Sequence, residues 1–203
     1  APNDATPFEV MDINKLFPPI KKIKSVEYCI GDDYYSFLDK IILFSNVSSC
    51  IKKEVWKKIP FKKIDFAEDQ EWARRVIEAE YRIVYEPASV VEHYHRFALK
   101  EIFKTNFTSS RVFKNEILYR VNGKGKKPNP VMVLLLAATR LIPQIVSDYE
   151  FINRYDYPLV KKLGLLRDNE IRRIISKIGG LLGGCSNHIP SSISKRLEKY
   201  PSD

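Results

Sequence analysis

Phe66-Ala67-Glu68-Asp69-Gln70-Glu71-Trp72 sets an acidic pair at the opening of a helix, and His93-Tyr94-His95 later ends the next extended segment. The helix is expected from about Asp69 to Ala79, because Trp72, Ala73, Val76 and Ile77 recur on one helical face. Arg82 to His95 then reads as extended through Ile83, Val84, Tyr85 and Val90-Val91, with Pro87 dividing it. Upstream, Ile41-Ile42-Leu43-Phe44 is a short apolar run of the kind found in a strand covered on both faces, and it stops at Ser45-Asn46. Strand, helix and strand joined by short connections predict an α/β layer.

Outward from this centre, residues 1–24 are punctuated by Pro2, Pro7, Pro18 and Pro19, with a short helix expected between Pro7 and Phe17. Residues 25–30 are expected as a strand, Gly31-Asp32-Asp33 as a turn, and Glu54 to Ile59 as one or two helical turns. After Arg96 the character changes. Residues 98–120 read as helix, with Leu99, Ile102, Phe103 and Phe107 as its apolar stripe. Gly123-Lys124-Gly125-Lys126-Lys127-Pro128 is a basic linker. Val131 to Val146 is apolar, but Arg140 and Pro143 interrupt it and it falls short of the about 20 apolar residues that span a bilayer. Residues 167–182 set Ile171, Ile174, Ile175, Ile178, Leu181 and Leu182 against Arg172, Arg173 and Lys177, a cationic amphipathic pattern suited to a membrane interface.

The 203 residues are 44% hydrophobic and 29% charged, a globular rather than a disordered composition. The formal net charge of +9 is unevenly placed: residues 1–110 hold 17 basic and 17 acidic side chains, residues 111–203 hold 17 and 8. An anionic partner for the C-terminal part follows, either lipid headgroups or nucleic acid. Cys29, Cys50 and Cys185 have no metal-ligand spacing and an odd count, which fits a reducing compartment rather than a disulfide framework.

A carboxylate at the exposed start of a helix can serve as a general base. Asp and Glu also collect there because they satisfy free N–H groups and oppose the helix dipole, so capping is the competing role for Glu68 and Asp69. His93 and His95, two apart on a strand, face one side and could both reach a metal ion. Asp32-Asp33 reads as a solvated turn.

Several segments, taken in order, resemble the distal half of the catalytic domain of bacterial family 2 glycosyltransferases, particularly rhamnosyltransferase-like members. They are Phe44-Ser45-Asn46-Val47-Ser48-Ser49-Cys50-Ile51-Lys52-Lys53-Glu54-Val55-Trp56, Ile59-Pro60-Phe61, Ala67-Glu68-Asp69-Gln70-Glu71-Trp72-Ala73, Tyr81-Arg82-Ile83-Val84-Tyr85-Glu86-Pro87 and Val90-Val91-Glu92-His93-Tyr94-His95. Pro2-Asn3-Asp4-Ala5-Thr6-Pro7-Phe8-Glu9 is similar to a loop that follows the metal-binding strand of such enzymes. The resemblance covers about residues 1–120. It implies a GT-A fold, a Rossmann-like α/β sandwich, here in part and followed by a basic, mainly helical region over 121–203. It also implies inverting transfer of a sugar, rhamnose being the family-level suggestion, from a nucleotide-sugar donor to a saccharide or lipid-linked acceptor in surface polysaccharide synthesis. Asp69 would be the base, with Glu68 beside it, and Ser45-Asn46 would line the substrate site. His93 or His95 would lie near a Mg²⁺ or Mn²⁺ ion that neutralises the departing diphosphate. Trp72 would support the base helix from the core.

In the family, the nucleotide-binding strands and an Asp-x-Asp metal motif come earlier, and here they would precede residue 1. The sequence is therefore expected to be part of a longer enzyme, one piece of a split enzyme working with a partner chain, or a remnant. The expected location is the cytoplasmic face of the cell membrane, held peripherally by the basic C-terminal helices. Two other readings remain: a non-catalytic module whose basic C-terminal region binds nucleic acid, with Phe103, Phe107 and Phe113 stacking on bases among Lys100, Lys104, Arg111 and Lys114, and a degenerate partner subunit of a complete glycosyltransferase.

Overall fold

The computed structural model describes residues 5–17, 22–24, 44–64, 66–93, 97–113 and 141–199. The expected strand at 25–30, the Gly31-Asp32-Asp33 turn, most of the Ile41–Phe44 run, His95 and the 123–128 linker lie outside them. Among the described residues helix predominates, and the strands are two short ones.

Helix α1 (Pro7–Leu16) begins at a reciprocal cap: the Glu9 N–H donates to Thr6 Oγ1, and the Thr6 N–H donates to Glu9 Oε2 at 2.7 Å. Pro7 stands at the first helical position, where no N–H is required. Strand β1 (Lys22–Lys24) pairs antiparallel with β2 (Ile83–Tyr85), Ile23 opposite Val84. This ladder is what the described residues show of the expected α/β layer.

Helix α2 (Lys53–Lys58) and helix α3 (Glu68–Glu78) carry the first core. Trp72, Ala73, Val76 and Ile77 are buried with Ile83, and Phe44, Ile51, Val55, Ile59, Phe61 and Tyr81 close around them. The Trp72 ring lies between Phe44 and Phe61, at centroid distances of 5.2 and 5.1 Å, and its indole N–H donates to the Ile59 carbonyl at 2.6 Å. Arg75 Nη2 donates to the neighbouring Pro60 carbonyl at 2.7 Å. Ile59-Pro60-Phe61 thus fixes the rotation of α3, and with it the direction of the helix's first turn. Glu71, also from the acidic run, is buried, held by Arg75 Nε at 2.9 Å and by Lys62 at 3.0 Å. That carboxylate is structural. Beyond β2 the chain turns at Glu86–Ser89, so among the described residues of the extended segment expected to reach His95, strand pairing is confined to 83–85.

The described C-terminal residues, 97–113 and 141–199, are mainly helical, as expected. Helix α4 (Leu99–Val112) buries Phe107, Thr108 and Val112, whereas Leu99, read as part of its apolar stripe, is exposed because it sits on the opening turn. Helix α5 (Leu141–Asn153) contributes buried Asp148 and Ile152, and its Phe151 meets Phe8 of α1 at 5.5 Å. Helix α6 (Leu159–Gly184) is longer than the 167–182 expectation. It presses glycines onto α4: a methyl at Gly179 would stand 2.6 Å from the Phe103 carbonyl oxygen, and one at Gly183 would overlap the Phe107 carbonyl. Contact at this distance is open only to a residue without a side chain. A short helix α7 (Ser191–Leu197) follows, and Glu198 just past it pairs with Arg111 of α4 at 3.3 Å.

Between α5 and α6 lies a buried polar group. Arg173 pairs with Asp148 and, at 2.5 Å, with Glu170; Asn169 Nδ2 donates to Asp148 at 3.0 Å and Gln144 Nε2 at 3.2 Å. Burial pushes the Glu170 carboxyl above its usual range, neighbouring Asp148 adds to this, and Arg173 opposes it. Arg173 therefore serves inside the fold, not on the solvated face where its charge alone would place it.

Candidate functional site

Asp69 is the second residue of α3. Ala67, which caps the helix, has left-handed backbone angles of φ 57° and ψ 34°, and its side chain makes no capping hydrogen bond. A non-glycine residue in this region costs about 1 kcal/mol or more. The helix therefore opens on a strained turn, with the anchors on Ile59 and Pro60 holding the body of α3 in place.

Asp69 is half-buried, and its two oxygens have different partners. Oδ1 accepts from the Gln70 N–H at 2.8 Å, a local bond at the helix start. Oδ2 accepts from the backbone N–H of Asn46 at 3.3 Å, across 23 residues of sequence. Burial raises the Asp69 carboxyl above its ordinary value; the Asn46 N–H opposes the rise, and the charge of Glu68 next to it adds to it. A carboxylate raised in this way holds a proton more readily than one in water, a property suited to a general base. Capping accounts for one oxygen and leaves the other turned to the Ser45–Ser48 segment.

That segment is a single 3-10 turn, Asn46–Ser48, started by Ser45, whose Oγ accepts from the Val47 N–H at 3.3 Å. Ser48 Oγ lies 2.9 Å from Ser89 Oγ, which joins the turn to the loop after β2. Asn46 and Ser48 are exposed and Ser45 half-buried. Asp69 thus sits beside a rim of hydroxyl and amide groups, able to hydrogen-bond a polyhydroxylated molecule.

The structure brings Ser45, Asn46 and Asp69 together. Glu68 occupies the first position of α3, half-buried. His93 is exposed on the segment beyond β2, and its expected companion His95 lies outside the described residues. Among the described residues no three His, Cys, Asp or Glu side chains gather into a cation site. Two site features escape a reading of residue types. The Asn46 contact is made by a backbone N–H, and the Ser48–Ser89 link joins residues with no distinguishing spacing.

Comparison of the chain with protein-family profiles, curated proteins and solved structures found no match.

Proposed function

We propose that the chain takes part in inverting sugar transfer, with Asp69 as the base that deprotonates the acceptor hydroxyl. The observation that carries the reading is the half-buried Asp69 carboxylate, raised above its usual range and reached by Asn46 on a hydroxyl-rich rim. The Asp69 oxygen takes the acceptor's O–H proton while the acceptor oxygen bonds to the anomeric carbon of the donor. The bond from that carbon to the donor diphosphate breaks on the opposite face, and the nucleoside diphosphate leaves with the electron pair. Holding the acceptor against the anomeric carbon lowers the entropic part of the barrier.

The resemblance of the motif series to family 2 glycosyltransferases supports this reading, with a GT-A sandwich as the proposed architecture around the described ladder and α3. It also makes rhamnose the first donor sugar to try and a saccharide or lipid-linked molecule the acceptor. Mg²⁺ or Mn²⁺ is the expected counter-ion of the departing diphosphate. The site of action is proposed as the inner face of the cell membrane, and no described helix is long and apolar enough to cross it.

The nucleic-acid reading is less well supported. Phe107 is fully buried and stacked 6.3 Å from Phe103, so it offers no face to a base. The test is to supply the complete enzyme with a panel of nucleotide sugars and both acceptor types, and to read the anomeric configuration of the product. An inverted glycoside is expected. A product of retained configuration, or donor left unconsumed while nucleic acid is bound, refutes the proposal.

A further inference from the structure

Helix α6 is amphipathic, and its packing in the fold covers only part of its apolar residues: Leu165, Leu166, Ile175 and Leu181 are half-buried. It meets α4 through Gly179 and Gly183, and α5 through Asn169, Glu170 and Arg173. The remaining face carries Val160, Leu163, Ile171, Ile174, Ile178 and Leu182, from 38% to 83% exposed. An amphipathic helix ordinarily turns such a stripe to the core; here the stripe has no described partner. It runs about 33 Å along the helix at 1.5 Å per residue.

Charge indicates what covers it. By helical spacing, exposed Lys177 borders the stripe on one side and exposed Lys161 and Arg172 on the other, while Arg167 stands within it. Of the two acidic side chains on α6, Glu170 is buried and paired with Arg173, and Asp168 is ion-paired with Arg167 at 2.8 Å in the open, a contact of little energetic weight. Arg172 also donates to the Phe97 carbonyl at 3.1 Å, which steadies α6 against the start of α4. Long cationic side chains at the edge of an apolar strip can place their stems along hydrocarbon and their heads among phosphates. A second copy seated on the stripe would bury the Arg167 charge against an apolar surface, and nucleic acid has no use for a row of isoleucines.

We propose that the outward stripe of α6 is a docking surface for an anionic lipid bilayer, with the helix lying in the plane of the headgroups rather than spanning them. This sharpens the membrane placement given above and rests on it, but does not depend on the assignment of Asp69. The lipid-facing cations are Lys161, Arg167 and Lys177; Arg172 is engaged with the Phe97 carbonyl and Arg173 with Asp148 and Glu170.

The experiment is co-sedimentation of the full chain with vesicles of phosphatidylcholine alone and of phosphatidylcholine mixed with phosphatidylglycerol, at low and high salt. Binding to the mixed vesicles, weakened by salt, is expected. Ile174→Glu with Ile178→Glu should reduce it about tenfold or more, with circular dichroism checking that the helical fold is retained. Val160→Glu with Leu163→Glu, at the other end of the stripe, should do the same and guards against a folding defect in the first pair. Lys177→Glu should weaken binding to the mixed vesicles alone. Asp69→Asn should leave binding unchanged, which separates this test from that of sugar transfer. The proposal is overturned if wild type ignores anionic vesicles, if both paired variants bind as well as wild type, or if light scattering shows a dimer that the paired variants dissociate.

Discussion

Replacing Gly183 by alanine should destabilise the protein, although alanine is the better helix former. In an open helical position, glycine to alanine gains about 0.8–1.0 kcal/mol. Gly164 is such a position, with nothing within 4 Å of where a methyl would stand. For a chain of this length that gain raises the melting temperature by about 2–4 °C. At Gly183 the methyl would overlap the Phe107 carbonyl, its carbon and its Cα, all backbone atoms that cannot rotate away. The two helices must part, which costs about 1–3 kcal/mol in a close-packed interior and loosens Phe107 and Thr108, both fully buried. The net effect is a loss of up to roughly 2 kcal/mol, or several degrees, once the helix-propensity gain is subtracted. Gly179→Ala should behave alike, its methyl standing 2.6 Å from the Phe103 carbonyl and 3.3 Å from Asn106 Cβ. The assay is thermal unfolding by circular dichroism of Gly183→Ala, Gly179→Ala and Gly164→Ala at one pH and concentration. If Gly183→Ala melts at or above Gly164→Ala, the helices do not approach on this face, and the outward direction of the isoleucine stripe falls with that packing.

Asn46→Pro removes the N–H that reaches Asp69 and should fold, because the position opens a 3-10 turn and Ser45 before it is extended at φ −130° and ψ 127°. That bond holds the Asp69 carboxyl down against burial, so its loss should carry the acidic limb of the pH–rate profile to higher pH; an unmoved limb contradicts the contact. Glu170 also has a folded value above the ordinary carboxylate value, so its protonated form favours the folded state and stability falls as pH rises from the ordinary value through the raised one. Melting temperatures of Glu170→Gln should show a flatter pH dependence across that window than wild type; an unchanged slope refutes the assignment. Trp72→Phe keeps most of the ring packing but gives up the bond to the Ile59 carbonyl and leaves that oxygen without it, costing about 1–3 kcal/mol in urea unfolding.

The α3 face was legible because Trp72, Ala73, Val76 and Ile77 follow the helical period, and burial against Phe44 and Phe61 is what that period encodes. The end of α1 at Leu16 and the helical turns at residues 53–58 were equally local matters. The extended reading of residues 82–95 holds as a paired strand at 83–85 and not at the described residues 86–93, since β-pairing depends on a partner strand and β1 meets residues 83–85. Arg173 was read with Arg172 and Lys177 as part of a cationic helix face, but Asp148 on another helix draws it inward. The Gly179–Gly183 pair carried a usable signal, two small residues four apart on one helical face. In the site, Asp69, Ser45 and Asn46 could be named from residue type and the order of motifs. Their juxtaposition could not, because it is made by a backbone N–H and set by the strained Ala67 turn.

The measurement closest to the central claim is the single-turnover rate of sugar transfer by the complete enzyme carrying Asp69→Asn, beside wild type, with matched circular dichroism. The amide retains the size of the side chain and one oxygen for the Asn46 N–H, but cannot accept the acceptor's proton. A fall on the order of 10² or more is the size expected for removal of a general base. Transfer at the wild-type rate would show that Asp69 is a helix cap and nothing more.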